Sequence, residues 1–334
     1  MINNITQIFN LRHKVWIPFV VAIAVFVLWS SYWLFAAGIM KQKAEDKISG
    51  WQNSGYIIDL KPLRVSGFPY RFVLTIERLN ITLPEAQDNQ QVFVEKALIH
   101  AMAWKPTHLI IELPSANNIL IGSQKELSYN AEKTRASLVF KDGKLLRFST
   151  EIVAPKITDV SNKALYQASR IDTHFRPGSD NDSRKVFATI SNPLWPQMPL
   201  QPISEIKLNT EVFAWSALQG KQKLTGFRDA NGYLQIDQLS LVSDKSLVSF
   251  SGKLEIDQRC FLNGKVKARF VQPAKILSKL DKSSLSGDVI ATITAIGLLI
   301  GGVDETEMSL TLRKGGVYTG PFKIAKAPRV LCST

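Results

Sequence analysis

Two patterns of hydrophobic residues divide this chain into an N-terminal region and a larger C-terminal region. Residues 16–40 form a run of 25 residues without a charged side chain, which as a helix at about 1.5 Å per residue would be about 38 Å long. The hydrocarbon core of a bilayer is about 30 Å thick, so this run is long enough to span it. From Tyr56 onward, apolar residues recur at every second position, which is the period of a β-strand. The sequence therefore predicts an N-terminal transmembrane helix followed by a β-rich domain.

The two periods also set the predicted boundaries. We expect a cytoplasmic tail at residues 1–14, an anchor helix at 15–40, a juxtamembrane helix at 41–54 and an exported domain at 55–334. Ala44, Ile48 and Trp51 give residues 41–54 a narrow apolar helical face, and Gly55 is placed to end that helix. Four prolines between residues 193 and 202 predict a rigid loop. This loop could divide the domain into two subdomains near 192–203.

The charges beside the apolar run predict its orientation. Arg12, His13 and Lys14 precede it without an acidic residue, so the positive-inside rule places the N-terminus in the cytoplasm and the domain outside. A cleaved secretory signal is the alternative, because residues 36–38 (AAG) are small, like a cleavage site. The apolar core of such signals is typically about 7–15 residues long, so the length favours an uncleaved anchor.

Alternating runs in the domain predict strands with one apolar and one polar face. Val266, Ala268 and Phe270 alternate with basic residues at 265, 267 and 269, which is the pattern of a half-exposed antiparallel strand. Two further runs repeat the pattern and lie far apart in the chain: Phe72, Leu74, Ile76, Met308, Leu310 and Leu312. In the first of these, the apolar phase changes near Glu77 and Arg78, which predicts a turn or a bulge there.

Turn signals separate the strands at short intervals. Asp-Gly, Asn-Gly and Gly-Gly pairs occur at residues 142–143, 231–232, 263–264 and 315–316, and such pairs supply the positive φ angles of tight hairpins. Between Val65 and Arg71, the residues Gly67, Phe68 and Pro69 predict a structural bend that starts the next strand. The predicted fold class is mainly β (α+β): an antiparallel, groove-like or sandwich-like domain with a few short helices.

Two late segments interrupt the strand pattern. Residues 273–280 (PAKILSKL) begin with proline at a favourable first helical position and place three apolar residues on one face. Asp288 could cap the uncharged run VIATITAIGLLI that follows it. At about 12 residues this run is too short to span a bilayer. We expect it to be a core helix covering the sheet, with an interfacial helix or a buried strand as the alternatives.

Charge and cysteine content limit the partners. The residues after position 40 carry a net charge of +11, from 39 basic and 28 acidic residues. This excess suits a soluble surface, an anionic membrane or an acidic polysaccharide, and an exported domain would not meet nucleic acid. The two cysteines, Cys260 and Cys332, could form a disulfide in an oxidising compartment. Two unpaired thiols are the alternative, because spacing alone does not establish proximity.

Motifs for catalysis and for ligand chemistry are absent from the sequence. Its four histidines lie in no metal-ligand spacing such as HExxH, and no GxSxG, GxGxxG or Walker-type loop occurs. No CxxC pair supports a metal or redox site. We therefore expect neither an enzyme nor a cofactor or metal site, and we assign no catalytic residue.

Several short motifs resemble a bacterial family, the domain of unknown function DUF2125. They are residues 65–72 (VSGFPYRF), 224–234 (LTGFRDANGYL), 250–254 (FSGKL) and 310–321 (LTLRKGGVYTGP). The sequence departs from the family pattern at Phe227, where tryptophan is common, and at Asn231, where a second glycine is common. The glycine-and-strand hairpins are more distantly similar to those of AsmA-type and TamB-type envelope proteins, which resemble lipid-conducting β-grooves. The resemblance implies an anchored protein of the bacterial inner membrane with a periplasmic domain, and no known activity.

Two functions are compatible with these patterns. In the first, one sheet face forms an apolar groove or core that binds or passes a lipid or another amphiphile beside the bilayer. Its predicted residues are Phe72, Leu74, Ile76, Val266, Phe270, Leu310 and Leu312. In the second, the domain is a non-enzymatic structural or scaffolding protein of the cell envelope. The predicted partners are the bilayer and such a lipid, and no protein partner is predicted.

Overall fold

The described part of the chain contains one very long helix and two short helical elements. The computed structural model describes residues 3–83, 91–114, 119–121, 127–196, 203–219, 223–272 and 304–330. Among these residues, α1 is Asn3–Asn53, α2 is Lys223–Asp229, and a single 3-10 turn is Trp215–Gln219. The helical segments predicted at 273–280 and after Asp288 lie outside the described residues.

The strands account for most of the described residues after α1. In chain order they are β1 Ile57–Asp59, β2 Arg64–Ser66, β3 Arg71–Thr82, β4 Gln91–Met102, β5 Lys105–Leu113, β6 Ile119–Ile121, β7 Leu127–Asn130, β8 Lys133–Lys141, β9 Lys144–Val153, β10 Lys156–Thr158, β11 Ala164–Gln167, β12 Arg170–Pro177, β13 Arg184–Ser191, β14 Glu205–Val212, β15 Tyr233–Ser243, β16 Ser246–Ile256, β17 Leu262–Val271, β18 Glu305–Arg313, β19 Gly316–Thr319 and β20 Phe322–Lys326.

Helix α1 continues without a break through the predicted tail, anchor and juxtamembrane segments. Its part from Trp16 to Asn53 is long and apolar enough to cross a membrane. The helix ends at Asn53, where the backbone N–H of Ser54 donates to the carbonyl oxygen of Gly50 at 3.2 Å. Gly55 then adopts a φ of 93°, a left-handed conformation that suits glycine. The predicted helix end at this glycine is therefore present.

All described strands belong to one open antiparallel sheet. Its main path runs β3–β4–β5–β8–β9–β12–β13–β14–β15–β16–β17–β18–β19–β20, and each neighbouring pair is antiparallel. Short strands β1 and β2 pair with β3 at one end. The predicted mainly antiparallel fold is confirmed, and it is an open sheet rather than a barrel.

Bends interrupt the sheet along one side. Four short strands extend four longer ones: β6 extends β5, β7 extends β8, β10 extends β9, and β11 extends β12. The short strands pair as β6–β7, β7–β10 and β10–β11. Ala154 and Asn192 have φ values of 50° and 47° at this line of breaks. Because such residues kink a strand and increase its twist, this side of the sheet departs from a plane. The ladder of β13 and β14 is continuous beside residues 192–203, and a subdomain division there stays a prediction.

The predicted turn or bulge near Glu77 is a single kinked residue inside β3. Arg78 has a φ of 53°, while Glu77 pairs with Lys96 and Leu79 pairs with Val94. The register is the same on both sides of the kink. The change of apolar phase in the sequence therefore arises from one left-handed residue in a continuous strand, and no turn separates two strands.

Buried apolar residues concentrate at the two ends of the sheet. At one end, Trp33 and Ala37 of α1 pack against Phe72, Ala101 and Ala103. At the other end, a second cluster combines strands β17 to β19 with Ala327, and its members are Val266, Ala268, Phe270, Leu310, Leu312, Val317 and Ala327. Neither cluster includes a residue of the central strands β8 to β13.

Candidate functional site

The strand registers place the predicted apolar residues on a single face of the sheet. Directly paired residues of antiparallel strands share a face. On β3 and β4, Phe72 lies opposite Ala101 and Leu74 lies opposite Ile99. The same face continues to β5, where Ile111 lies opposite Ile99. The positions of this first part are Phe72, Leu74, Ile76, Ala97, Ile99, Ala101, Leu109, Ile111 and Leu113.

The face continues through the central strands. Leu138 of β8 lies opposite Leu109 and also opposite Phe148 of β9, and Phe148 lies opposite Phe175 of β12. From there the registers lead to Val186 of β13. The positions of this central part are Ala136, Leu138, Phe148, Thr150, Ile152, Ile171, Thr173, Phe175, Val186, Ala188 and Ile190.

The same face extends to the far end of the sheet. Phe250 of β16 lies opposite Ala268 of β17, and Val266 lies opposite Leu310 of β18. The positions of this last part are Ile206, Leu208, Thr210, Val212, Leu234, Ile236, Leu239, Leu241, Val248, Phe250, Gly252, Leu254, Val266, Ala268, Phe270, Met308, Leu310 and Leu312. We call the three parts together the apolar face. The residues at these positions are all uncharged. Arg184, at the start of β13, lies opposite Val212 and brings a positive charge to the margin of this face.

The opposite face of the sheet is rich in ion pairs. Glu151 of β9 lies between two cations, with its carboxylate 3.1 Å from Arg170 and closer to Lys133 at 2.5 Å. Arg170 also binds Asp172 at 2.6 Å. At the far end, Arg269 binds Glu305 at 2.6 Å. The side chains of these ion pairs are 22–55% exposed, so this face is the solvated side of the sheet.

Coverage of the apolar face differs along its length. Phe72 and Phe270, in the two end clusters, have 2% and 4% of their surface exposed. In the central part, Leu138, Phe148 and Phe175 are half-buried. Among the described residues, the apolar face is therefore closed at both ends and open in its middle.

The structure thus brings all seven predicted apolar residues to one face but into two environments. Phe72 packs against α1, and buried Leu74 is next to it on the same face of β3. The far cluster contains Val266, Phe270, Leu310 and Leu312. Residue Ile76 is half-buried beside the first group. Sequence reasoning missed the central residues as a site, although the alternation within each of their strands is a readable signal.

The predicted turn at Gly67, Phe68 and Pro69 contacts helix α1. Gly67 has a φ of 103°, and a Cβ there would lie 2.6 Å from the carbonyl oxygen of Arg71, so glycine is required by this close approach. The ring of Phe68 meets that of Trp33 edge-on, with centroids 5.5 Å apart. The carbonyl oxygen of Pro69 accepts a hydrogen bond from Trp29 Nε1 at 3.0 Å.

The last described residues lie beside Cys260. Cys260 is disulfide-bonded, and the backbone N–H of Val330 donates to its carbonyl oxygen at 2.8 Å. The one other cysteine of the sequence is Cys332, which lies outside the described residues. The predicted bridge from Cys260 to Cys332 stays a prediction, and the contact at Val330 favours it.

Glu211 and His100 are ionisable groups on the solvated face whose pKa values are shifted. Burial acts to raise the pKa of Glu211, but hydrogen bonds from the backbone and hydroxyl of Ser179 and from Ser183 outweigh it, so this pKa lies below its ordinary value. For His100, burial lowers the pKa, and the nearby Glu112 carboxylate at 3.6 Å only partly opposes this. Neither group faces the apolar side, so neither provides acid–base chemistry there.

The described residues hold no group of three or more His, Cys, Asp or Glu side chains that could bind a metal ion. Across the part of the chain that the structure covers, we therefore take the apolar face as the candidate site. Its apolar side chains favour contact with hydrocarbon over contact with water.

Comparison with known protein families gives a match over most of the chain. Residues 33–328 match the family model described as an uncharacterized protein conserved in bacteria, DUF2125. No curated protein and no solved structure matches the chain. The matched region extends from the second half of α1 to the end of the sheet.

Proposed function

This chain belongs to the bacterial family DUF2125, and we propose that it is an envelope protein, anchored in the inner membrane, that binds lipid acyl chains on its apolar face. The observation that carries this proposal is the open middle of that face. Large apolar side chains such as Leu138, Phe148 and Phe175 are aligned there and half-buried. Burial of each further CH₂ group against such a surface is worth about 0.8 kcal/mol.

The size of the open middle fits this ligand. From β8 to β14, where Ile206 and Leu208 are still half-buried, the main path crosses four strand spacings of about 4.8 Å, or roughly 19 Å. The hydrocarbon core of a bilayer holds two leaflets in about 30 Å, so one acyl chain needs about 15 Å. An acyl chain lying across the strands would therefore fit within the uncovered region.

A charge placed in the open middle tests the proposal. Ala188 and Thr189 are neighbours in β13 and lie on opposite faces, since Ala188 pairs with Leu208 and Thr189 with Lys207. We expect Ala188→Glu to reduce lipid contact at the apolar face at least about tenfold, because a carboxylate against hydrocarbon costs more than about 1.4 kcal/mol. Thr189→Glu is the matched control and should leave lipid contact unchanged.

The measurement is photo-crosslinking of the full chain in proteoliposomes. Benzoylphenylalanine replaces Phe148, and the vesicles contain phosphatidylethanolamine and phosphatidylglycerol with radiolabelled phosphate. The same label at Phe187, which pairs with Asn209 on the solvated face, gives the background, and the label at lipid-facing Phe35 gives the maximum. Labelling at Phe148 no higher than at Phe187 would contradict lipid binding and leave a scaffolding role.

The proposed orientation has a separate test. We propose that the N-terminus is cytoplasmic and that residues 41–334 lie outside, because Arg12 and Lys14 precede the apolar run without an acidic residue. A reporter enzyme that is active only in the periplasm should be active when fused after Thr334. Activity of a cytoplasm-only reporter at this position would contradict the orientation.

A further inference from the structure

A cleft of about 520 Å³ lies between the second half of α1 and strands β3 to β5. Its walls are apolar on both sides. Ile39 and Met40 contribute from the helix, and Leu74, Ile76, Ile99 and Leu109 contribute from the sheet. All four sheet residues belong to the apolar face, and Leu109 pairs directly with Leu138 in the open middle. The cleft is therefore continuous with the surface to which we assign lipid binding.

Three hydrogen bonds fix the level of this cleft relative to the anchor. Tyr32 donates its hydroxyl to the carbonyl oxygen of Ala103 at 2.8 Å, and Trp33 Nε1 donates to that of Arg71 at 3.2 Å. Trp29 makes the third bond, to Pro69. A hydrocarbon core of about 30 Å needs about 20 helical residues, so if it begins near Trp16 it ends near position 35. The first turns of the sheet therefore meet the helix at the bilayer boundary.

Exposed side chains at these turns fit a bilayer interface. Tyr70 and Trp104 are 69% and 62% exposed, on the turn before β3 and on the hairpin between β4 and β5. Each precedes an exposed basic residue, Arg71 and Lys105. Aromatic rings and basic side chains at one level are typical of the headgroup region. Because Tyr32 and Trp33 hold these turns, the tip of the sheet is placed in contact with lipid.

The rim of the cleft adds positive charge just beyond this level. Lys43 and Lys47 lie one turn apart on α1 and line the cleft together with apolar Ala44 and Ile48. An acyl chain inside the cleft would leave its phosphate near these two ammonium groups, which attract anionic headgroups. The apolar interior and the basic rim thus match the two parts of a phospholipid.

We propose that this cleft is the lateral entrance through which a phospholipid acyl chain passes from the adjoining leaflet onto the apolar face. The proposal rests on the proposed lipid-binding function and gives that site its source of ligand, the bilayer itself. The helix segment after Met40 and the strands β3 to β5 form the two sides of the entrance. The acyl chain then continues from Leu109 to Leu138.

A bulky side chain in the entrance tests this route. Ala44 is half-buried and lines the cleft, whereas Asp46, two residues later, is exposed and does not line it. In the crosslinking assay with benzoylphenylalanine at Phe148, Ala44→Trp should reduce labelling by bilayer phospholipid at least about tenfold. Asp46→Trp is the matched control and should leave labelling unchanged.

A second lipid separates a closed entrance from a damaged groove. Radiolabelled dihexanoyl phosphatidylcholine dissolves in water as a monomer and can reach the open middle without passing the cleft. It should label the Ala44→Trp protein at Phe148 as well as it labels the parent. Unchanged labelling by bilayer lipid in Ala44→Trp, or an equal loss with both lipids, would overturn the entrance while lipid binding itself stands. If neither lipid labels the parent at Phe148, the proposed function fails and the entrance fails with it.

Discussion

Replacing Phe270 by alanine is expected to lower the free energy of unfolding by about 3–5 kcal/mol. The Phe270 side chain has 4% of its surface exposed and lies in the far cluster with Val266 and Leu310. Its ring also meets that of Phe250 edge-on, with centroids 6.3 Å apart. Truncation therefore leaves a cavity among packed neighbours. Urea unfolding of the full chain in detergent micelles measures the loss as a lower midpoint at an unchanged slope.

Lys267→Ala in the same strand is the matched control. The ammonium group of Lys267 lies on the solvated face, 3.9 Å from the carboxylate of Glu307, and both side chains are more than half exposed. Such a surface pair contributes little, so its removal should change stability by no more than about 0.5 kcal/mol. Equal losses from Phe270→Ala and Lys267→Ala would contradict the alternation of β17.

The alternation inside each strand was predictable, and the continuity of the face between strands was not. In β17 the sequence predicts which residues point together, because Val266, Ala268 and Phe270 keep an uninterrupted period of two. In β15, however, Ile236 and Leu239 share the apolar face although three positions separate them. The register shift between them reverses the phase of the strand. Composition gives no reliable sign of such a shift, so register must come from the pairing.

Coverage of the face also depends on contacts that alternation does not encode. Leu138 and Leu310 both lie on the apolar face, yet Leu310 is 6% exposed and Leu138 is half-buried. The difference lies in what packs above each residue. Near Leu310, the hairpin of β19 and β20 supplies Val317 and Ala325. These partners follow a turn in the chain, so the alternation around Leu310 does not predict that they cover it.

The sequence of α1 contains a second signal besides its hydrophobicity, namely the spacing of its aromatic residues. The aromatic residues Trp29, Tyr32 and Trp33 predict a membrane interface from their position near the end of the apolar run. In the structure they also donate three hydrogen bonds to carbonyl oxygens of the sheet. Their spacing of three and four residues places them on one helical face. That spacing is the signal by which the docking of the helix on the sheet could have been expected.

A glutamate at Leu310 should distinguish the closed part of the apolar face from its open part. Leu310 is buried among Val266, Leu312 and Val317, so a carboxylate there would be cut off from water and without a cation. We expect Leu310→Glu to lower the free energy of unfolding by more than about 4 kcal/mol. The result would be a protein that melts far below the parent or aggregates, as followed by thermal unfolding of the full chain.

Leu138→Glu is the matched substitution in the open middle, with the same residue type on the same face. A carboxylate at this half-buried site stays in contact with water in the absence of lipid, so the loss of stability should be about 1 kcal/mol. The folded protein should nevertheless lose labelling by bilayer phospholipid at Phe148, because Leu138 lies directly opposite that residue. Unfolding by Leu138→Glu as severe as by Leu310→Glu would mean that the middle of the face is a closed core, and the acyl chain would then have no surface to occupy.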